Sequence, residues 1–189
     1  MDTAEGSREA VRERLERLHA TYDGFDVFGE TATVDAERYG RHRETLATEG
    51  VGQVAVWAGR EGQGLLLTRD GRGVDDVWTV PTASARDGES LDDTAVRCVR
   101  ERAGLDCSVD DVYRVERVEL RERGPGESAP LHELTVHFDA TVEAGEPSPG
   151  AGVSAAAFHA TPPEAVDRTV VRRMADDDSV ARLGPAETG

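Results

Sequence analysis

From Trp78 to Leu105 the chain reads WTVPTASARDGESLDDTAVRCVRERAGL, and this run admits few local structures. Thr79 and Val80 close a β-favouring stretch, and Pro81 removes the donor its ladder would need next. Ser90 with Asp93 three residues on forms a capping-box-like helix start, with Asp where Glu or Gln is usual. Leu91, Ala95, Val99 and Ala103 recur every fourth residue as a stripe to be buried, and Gly104 supplies the left-handed exit that helix ends favour. Asp92 and Asp93 fall in the first turn, where the helix dipole favours negative charge. The spacing therefore predicts strand, loop and helix in that order.

Taken alone, Arg97, Arg100, Glu101 and Arg102 describe a solvated helix face with an ordinary i,i+4 pair between Arg97 and Glu101. In register with the loop before them, they resemble the signature of the Nudix family of pyrophosphohydrolases. That signature is a glycine, five residues, a glutamate, seven residues, then R-E-U-x-E-E-x-G-U, with U a bulky aliphatic. Glu89, Arg97, Val99, Glu101, Gly104 and Leu105 match it, as do the flanking Trp78, Pro81 and Gly88. Three positions depart: the loop glycine is Ala83, the first helix glutamate is Cys98, and the last is Arg102. The resemblance spans roughly Val51 to Met174. It implies a mixed α/β (α+β) fold, a β-sheet sandwiched between helices.

The departures fall on the chemistry. Positions 98, 101 and 102 are three and four residues apart, a spacing that puts them on one helical face. In the family, carboxylates there hold Mg²⁺ or Mn²⁺ against a diphosphate, since hard cations take oxygen ligands. Arg102 replaces a ligand with a cation. At ~4 Å and an effective dielectric near 20, a unit charge repels another by about 4 kcal/mol, and a divalent ion doubles that upper bound. The resemblance thus implies Glu101 and Glu89 as weak metal ligands and Glu101, Arg97 and Glu89 as catalytic residues. Arg97 and Arg102 are the phosphate contacts expected on that resemblance.

Composition bounds the partners. The net charge of −16 comes from 38 acidic residues against 22 arginines, with lysine, isoleucine and asparagine absent. Such a chain resembles proteins of salt-in halophiles from GC-rich genomes, where molar salt shortens the Debye length to about 3 Å. No basic face offers itself to nucleic acid, and no apolar run approaches a membrane span. The first residues lack a secretory pattern, so the expected location is cytoplasmic. Cys98 and Cys107 are expected to be buried or half-buried thiols rather than a disulfide.

Along the rest of the chain, Ser7 to Tyr22 reads as an amphipathic helix with Val11, Leu15, Leu18 and Tyr22 on one face and Gly24 as its stop. Phe25 to Val34 alternates weakly, and Asp35 to Thr48 reads as a short helix. Val54, Val56 and Ala58 alternate with Ala55 and Trp57, and a turn leads to Leu65, Leu66 and Leu67. Val112 to Leu120 is an expected strand whose parity slips between Val115 and Val118, as a bulge would cause. Leu134 to Val142 has the cleanest period of two. Thr161 and Pro162 are expected to open a last helix with Val166, Val170 and Met174 as its buried stripe. The chain divides into an N-terminal helical extension (1–50), a Nudix-like domain (51–175) and an acidic tail (176–189). His132, Glu133, His137 and Asp139 are expected to form an exposed polar strand face rather than a metal site.

Two functions fit these residues. One is a Nudix-type hydrolase acting on a nucleoside diphosphate linked to another moiety, using Mg²⁺ or Mn²⁺ at an impaired site. The other is a catalytically inactive Nudix-fold module that binds a nucleotide diphosphate derivative or regulates, with no metal at all. A structural domain without a ligand is the third. The composition makes its own prediction: the protein should melt at a lower temperature in dilute buffer than in molar KCl. Equal melting temperatures would remove the halophile argument.

Overall fold

The computed structural model describes residues 3–70, 77–124 and 128–177. Twelve elements follow in order: α1 (Thr3–Thr21), β1 (Asp26–Val34), α2 (Ala36–Glu49), β2 (Gln53–Arg60), β3 (Gly64–Asp70), β4 (Trp78–Thr79), β5 (Thr82–Ser84), α3 (Leu91–Ala103), β6 (Cys107–Glu122), β7 (Leu131–Val142), β8 (Val153–His159) and α4 (Arg168–Asp177). The strands form one mixed sheet ordered β1-β6-β7-β2-β3-β4, with β5 also on β2 and β8 also on β3. β1 runs parallel to β6 and β2 parallel to β7, while β6–β7 and β2–β3 are antiparallel.

The alternation in β2 shows why helices lie on both faces. Val54, Val56 and Ala58 join Leu66, Val136 and Phe138 in a core completed by Val11 and Leu18 of α1 and by Ala95, Val99 and Ala103 of α3. Ala55 and Trp57 point the other way and pack with Leu67, Val80 and Val170 of α4. Central strands buried on both faces read as continuous apolar runs, as this one does.

The first fifty residues are more than a helical extension. α1 starts four residues earlier than the periodicity predicts, and β1 adds an edge strand paired with β6 from Asp26 to Val34. Asp35 caps α2 by accepting from the Arg38 amide at 2.8 Å. Tyr39 of α2 is buried against Leu120 and Leu131, and Ser7 of α1 accepts from the His132 amide at 3.1 Å. The extension thus completes the sheet and covers it.

Two expectations need correction. β6 begins at Cys107, and its irregularities fall between Val109 and Asp111 and between Val112 and Arg114, not between Val115 and Val118. The parity change has another cause: Val115 belongs to the main core, while Val118 packs with Leu120 beneath α2, so the strand is covered on both faces. The last helix starts at Arg168 rather than Pro162. Ala165 takes a left-handed φ of 50°, the Trp78 amide donates to its carbonyl, and the Asp167 amide donates back to Trp78. That exchange holds residues 165–167 beside β4, and Asp167 caps the helix by accepting from the Thr169 amide at 2.7 Å. Val170 is buried with Met174 packed beside it on the helix, while Val166, expected in the same stripe, lies before the helix and packs there from its bridge with Trp78. Residues 178–189, most of the expected tail, lie outside the described residues, as do 71–76 of the loop before Trp78. Among the described residues no helix is long and apolar enough to cross a membrane.

Candidate functional site

The loop and helix of the signature fold as their spacing dictates. Ser90 caps α3 by accepting from the Asp93 amide at 3.1 Å, and its hydroxyl donates to the Asp93 carboxylate at 2.7 Å. Gly104 closes the helix at φ 68°, its amide donating to the Arg100 carbonyl at 2.9 Å. Two carbonyls beyond the helix's own ladder are met by the 143–152 loop: the Ser148 amide donates to Ala103 and the Gly150 amide to Arg102. The approach is so close that a Cβ on Gly150 would overlap the Glu101 carbonyl.

Arg97 organises the site. Its Nε donates to Glu89 Oε1 at 2.7 Å, and its Nη2 donates both to Glu89 Oε2 at 2.8 Å and to the Ser84 carbonyl at 2.9 Å. Its Nη1 reaches Glu101 Oε2 at 2.9 Å, one turn along the helix. A guanidinium has five donors in a fixed fork, which suits it to clamp a carboxylate and a carbonyl together. Those bonds depress the Glu89 carboxyl to about 2 and raise Arg97 above its ordinary value, the Glu89 bond being the largest cause in each case.

Glu101 keeps its expected exposed place but is already engaged. Arg97 holds one of its oxygens, and Arg86 Nη2 donates to the other at 2.8 Å. Burial tends to raise its pKa, but the hydrogen bonds from Arg97 and Arg86 outweigh this and the net shift is down. Arg102 forms an ion pair with Asp70 at the end of β3, an interaction 32 positions away in sequence. Ala83, in the place of the signature's loop glycine, lies in β5 opposite Val54.

Cys98 is a buried free thiol, as its type and number predict, but it does not lie on the outward face expected of positions 98, 101 and 102. It was placed with Glu101 and Arg102 on a ligand-bearing face, yet it has no solvent exposure and belongs to the main core. The physical reason is the same spacing. Position 98 also stands three and four residues from Ala95 and Thr94, both buried, so the apolar stripe is two rows wide and absorbs it. Burial pushes its thiol up to about 12.

Among the described residues the donor set offers Mg²⁺ or Mn²⁺ no unengaged carboxylate at the signature positions. Such ions need several free oxygen ligands, whereas both oxygens of Glu101 and of Glu89 already accept hydrogen bonds. Arg102 puts a cation at the third position. Among the described residues no group of three or more His, Cys, Asp or Glu is placed to hold a metal ion.

The second polar cluster does not converge, and it is not exposed. His132 and His137 are 9% and 7% exposed. His137 Nδ1 accepts from Trp57 Nε1 at 3.1 Å, and burial lowers its pKa to about 4. Glu133 meets His42 of α2 at 2.6 Å, and Asp139 pairs with Arg173 of α4. The helices recruit what strand periodicity alone leaves on an outer face. Arg86, Asp70 and the Ser84 carbonyl are the site members that sequence reasoning missed. Arg86 stands within the loop and Asp70 at a strand end, and neither position carries a local signal.

A sequence model of the NUDIX domain matches residues 49–181. Solved structures share the fold at low identity. The MutT protein of Methanosarcina mazei Go1 is 14% identical, with a TM-score of 0.52 over 70% of this chain and 95% of that one. A NUDIX hydrolase from Nitrosomonas europaea is 19% identical, with a TM-score of 0.50 over 68% and 73%. A UDP-X diphosphatase, 14% identical, aligns over 97% of this chain and 98% of its own with a TM-score of 0.51, so its likeness extends into the N-terminal fifty residues. No curated protein matches in sequence.

The Arg97–Glu89 clamp makes a pH prediction. Glu89 has a folded pKa of about 2 against an ordinary 4.5, so its stabilisation is complete above 4.5 and is lost as pH falls from 4.5 through about 2. Glu89→Gln should destabilise the protein at pH 7 by roughly 1.5–3 kcal/mol, the range for hydrogen bonds to charged groups, and the gap should close as pH approaches 2. Denaturant unfolding of both proteins across that range checks it, and a gap independent of pH would contradict the assignment.

Proposed function

The chain belongs to the Nudix family, and we propose that it is a Nudix-type hydrolase acting on a nucleoside diphosphate linked to another moiety, with an impaired metal site. The observation that carries the impairment is the occupancy of α3: Cys98 buried, Glu101 held by Arg97 and Arg86, and Arg102 paired with Asp70. The substrate class draws support from the fold neighbours, among them the UDP-X diphosphatase. A divalent ion would supply charge neutralisation and an activated water in an intact site of this kind. Here Arg86 and Arg97 hold the exposed Glu101 while Arg102 pairs with Asp70, and guanidinium forks pair with phosphate oxygens in two-point contacts. They can neutralise and orient a diphosphate, but they cannot generate hydroxide. Turnover is therefore expected to be slow.

The second reading, a nucleotide-binding or regulatory module without turnover, is favoured by Arg102 in particular. A fixed cation at a ligand position repels a metal and attracts a phosphate. The N-terminal fifty residues are structurally part of the core in either reading, because β1 pairs into its sheet and α2 packs on it.

Repair separates the two readings. Arg102→Glu turns the repelling position into a carboxylate beside Glu101 and Asp70, and it should raise Mn²⁺ affinity at least tenfold. Adding Cys98→Glu should unfold the protein instead of completing the site, since the introduced carboxylate would be buried in the core. Calorimetric Mn²⁺ titration, nucleotide turnover and circular dichroism measure all three. Wild type turning over nucleotides as fast as Arg102→Glu would sink the impaired-site account, and turnover that stays nil in a folded, metal-loaded Arg102→Glu would favour the module.

A further inference from the structure

β1 forms one edge of the sheet, and its outer side is open. Asp26 to Val34 pair with β6 in an unbroken parallel register, and the strand order ends there. The Arg123 amide donates to the Val34 carbonyl, so the backbone of Val34 points at β6. Backbone direction alternates along a strand. Phe28, Glu30 and Ala32 therefore turn their amides and carbonyls inward with Val34, while Val27, Gly29, Thr31 and Thr33 present theirs to the outside. Among the described residues no strand takes these groups up.

Most devices that guard such an edge are missing from β1. It has no proline, no basic side chain and no bulge, and it is 9 residues long where about five or six is usual. Its first six residues are exposed, and Phe28 at 54% is the most exposed large apolar side chain among the described residues, with Val27 beside it at 41%. The charges that remain are Asp26 at one end and Glu30 at the centre.

The strand is also complementary to itself. Turned about a two-fold axis through Glu30, two copies run antiparallel over the whole of β1. Val27 then stands opposite Thr33 of the other copy and Gly29 opposite its Thr31, so each outward residue meets both a donor and an acceptor. Phe28 shares a face with Ala32, which packs beneath α2, and it covers Ala32 of the other copy. Glu30 opposes the pairing, because it meets its own counterpart across the axis and like charges directly opposite destabilise a strand pair. Molar salt shortens the reach of that repulsion to about 3 Å, and it screens the repulsion between two chains of net charge −16.

We propose that β1 is the surface through which two copies of this chain join their sheets edge to edge, with Glu30 making the union depend on salt. At ~3.3 Å per residue the contact is about 30 Å long, and a sheet about 10 Å thick makes it on the order of 300 Å² on each copy. That lies below the roughly 800 Å² per partner of a standard interface, so the dimer is weak and transient. The inference does not rest on the hydrolase reading, since β1 supplies no residue to the signature site.

Sedimentation equilibrium of the full chain over a concentration series, in dilute buffer and in molar KCl, tests it. In molar KCl the average mass should climb from one chain toward two, and in dilute buffer it should stay at one. Thr31→Pro removes an outward donor that the monomer does not use, so its circular dichroism should match wild type while its mass stays at one chain. Phe28→Ser should raise the dissociation constant at least tenfold, as truncating a buried aromatic anchor does. Glu30→Gln should move the onset of association to lower salt. A single-chain mass at every concentration in molar KCl overturns the proposal. So does a dimer that persists in folded Thr31→Pro, or a salt onset that Glu30→Gln leaves unmoved. If Thr31→Pro does not fold, Phe28→Ser decides in its place, and a dimer it leaves unchanged overturns the proposal.

Discussion

The contact on which the site depends is the one between Arg97 and Glu89. A loop of six residues separates β5 from α3, and loops hold their shape only when something fixes their polar groups. Arg97 does so from the helix. One guanidinium grips both oxygens of Glu89, the carbonyl of Ser84 and the next-turn Glu101, tying the end of β5, the loop and the helix together. The clamp is 16% exposed on each partner, shielded enough for its charges to matter. The buried stripe beneath supplies the other half, seating α3 on β2 through Ala95 and Val99.

That division accounts for how Glu89, Arg97, Gly104 and Leu105 match the signature while positions 98 and 102 depart from it. Glu89, Arg97, Gly104 and Leu105 shape the loop and helix, and their contacts are internal. The ligand positions face outward or lie at the margin of the stripe, where substitution is tolerated by the fold. Cys98 slides into the core as a small apolar side chain, and Arg102 finds Asp70. Neither change disturbs what Arg97 holds. The result is a surface on which Arg86 and Arg97 hold Glu101 and Arg102 stands where the signature has a carboxylate.

Much of this was legible in the sequence because it rests on local rules. The Ser90 cap, the Gly104 exit, the every-fourth-residue stripe of α3 and the double-faced β2 all follow from spacing, and the mixed sheet between helices followed from the resemblance those residues carry. What was not legible depends on partners far apart in the chain. Asp70 meets Arg102 only because β3 ends beside α3, and Asp139 meets Arg173 only because α4 crosses β7. Cys98 was expected both as a buried thiol and on the ligand face, and only the second failed, because a helical face has no sharp edge in sequence and the second row of the stripe became visible only against β2. The late start of α4 was hidden for the same reason, since residues 165–167 give up helix to exchange hydrogen bonds with Trp78.

The central claim is that this face meets a diphosphate with guanidinium groups in place of a metal. Its most direct test is a calorimetric titration of ADP into the full chain, once with excess Mg²⁺ and once with EDTA, at the same ionic strength. The account predicts saturable binding in both, with affinities within about twofold and both weakened by Arg102→Glu. Binding that appears only with Mg²⁺, or that ignores Arg102, would contradict it.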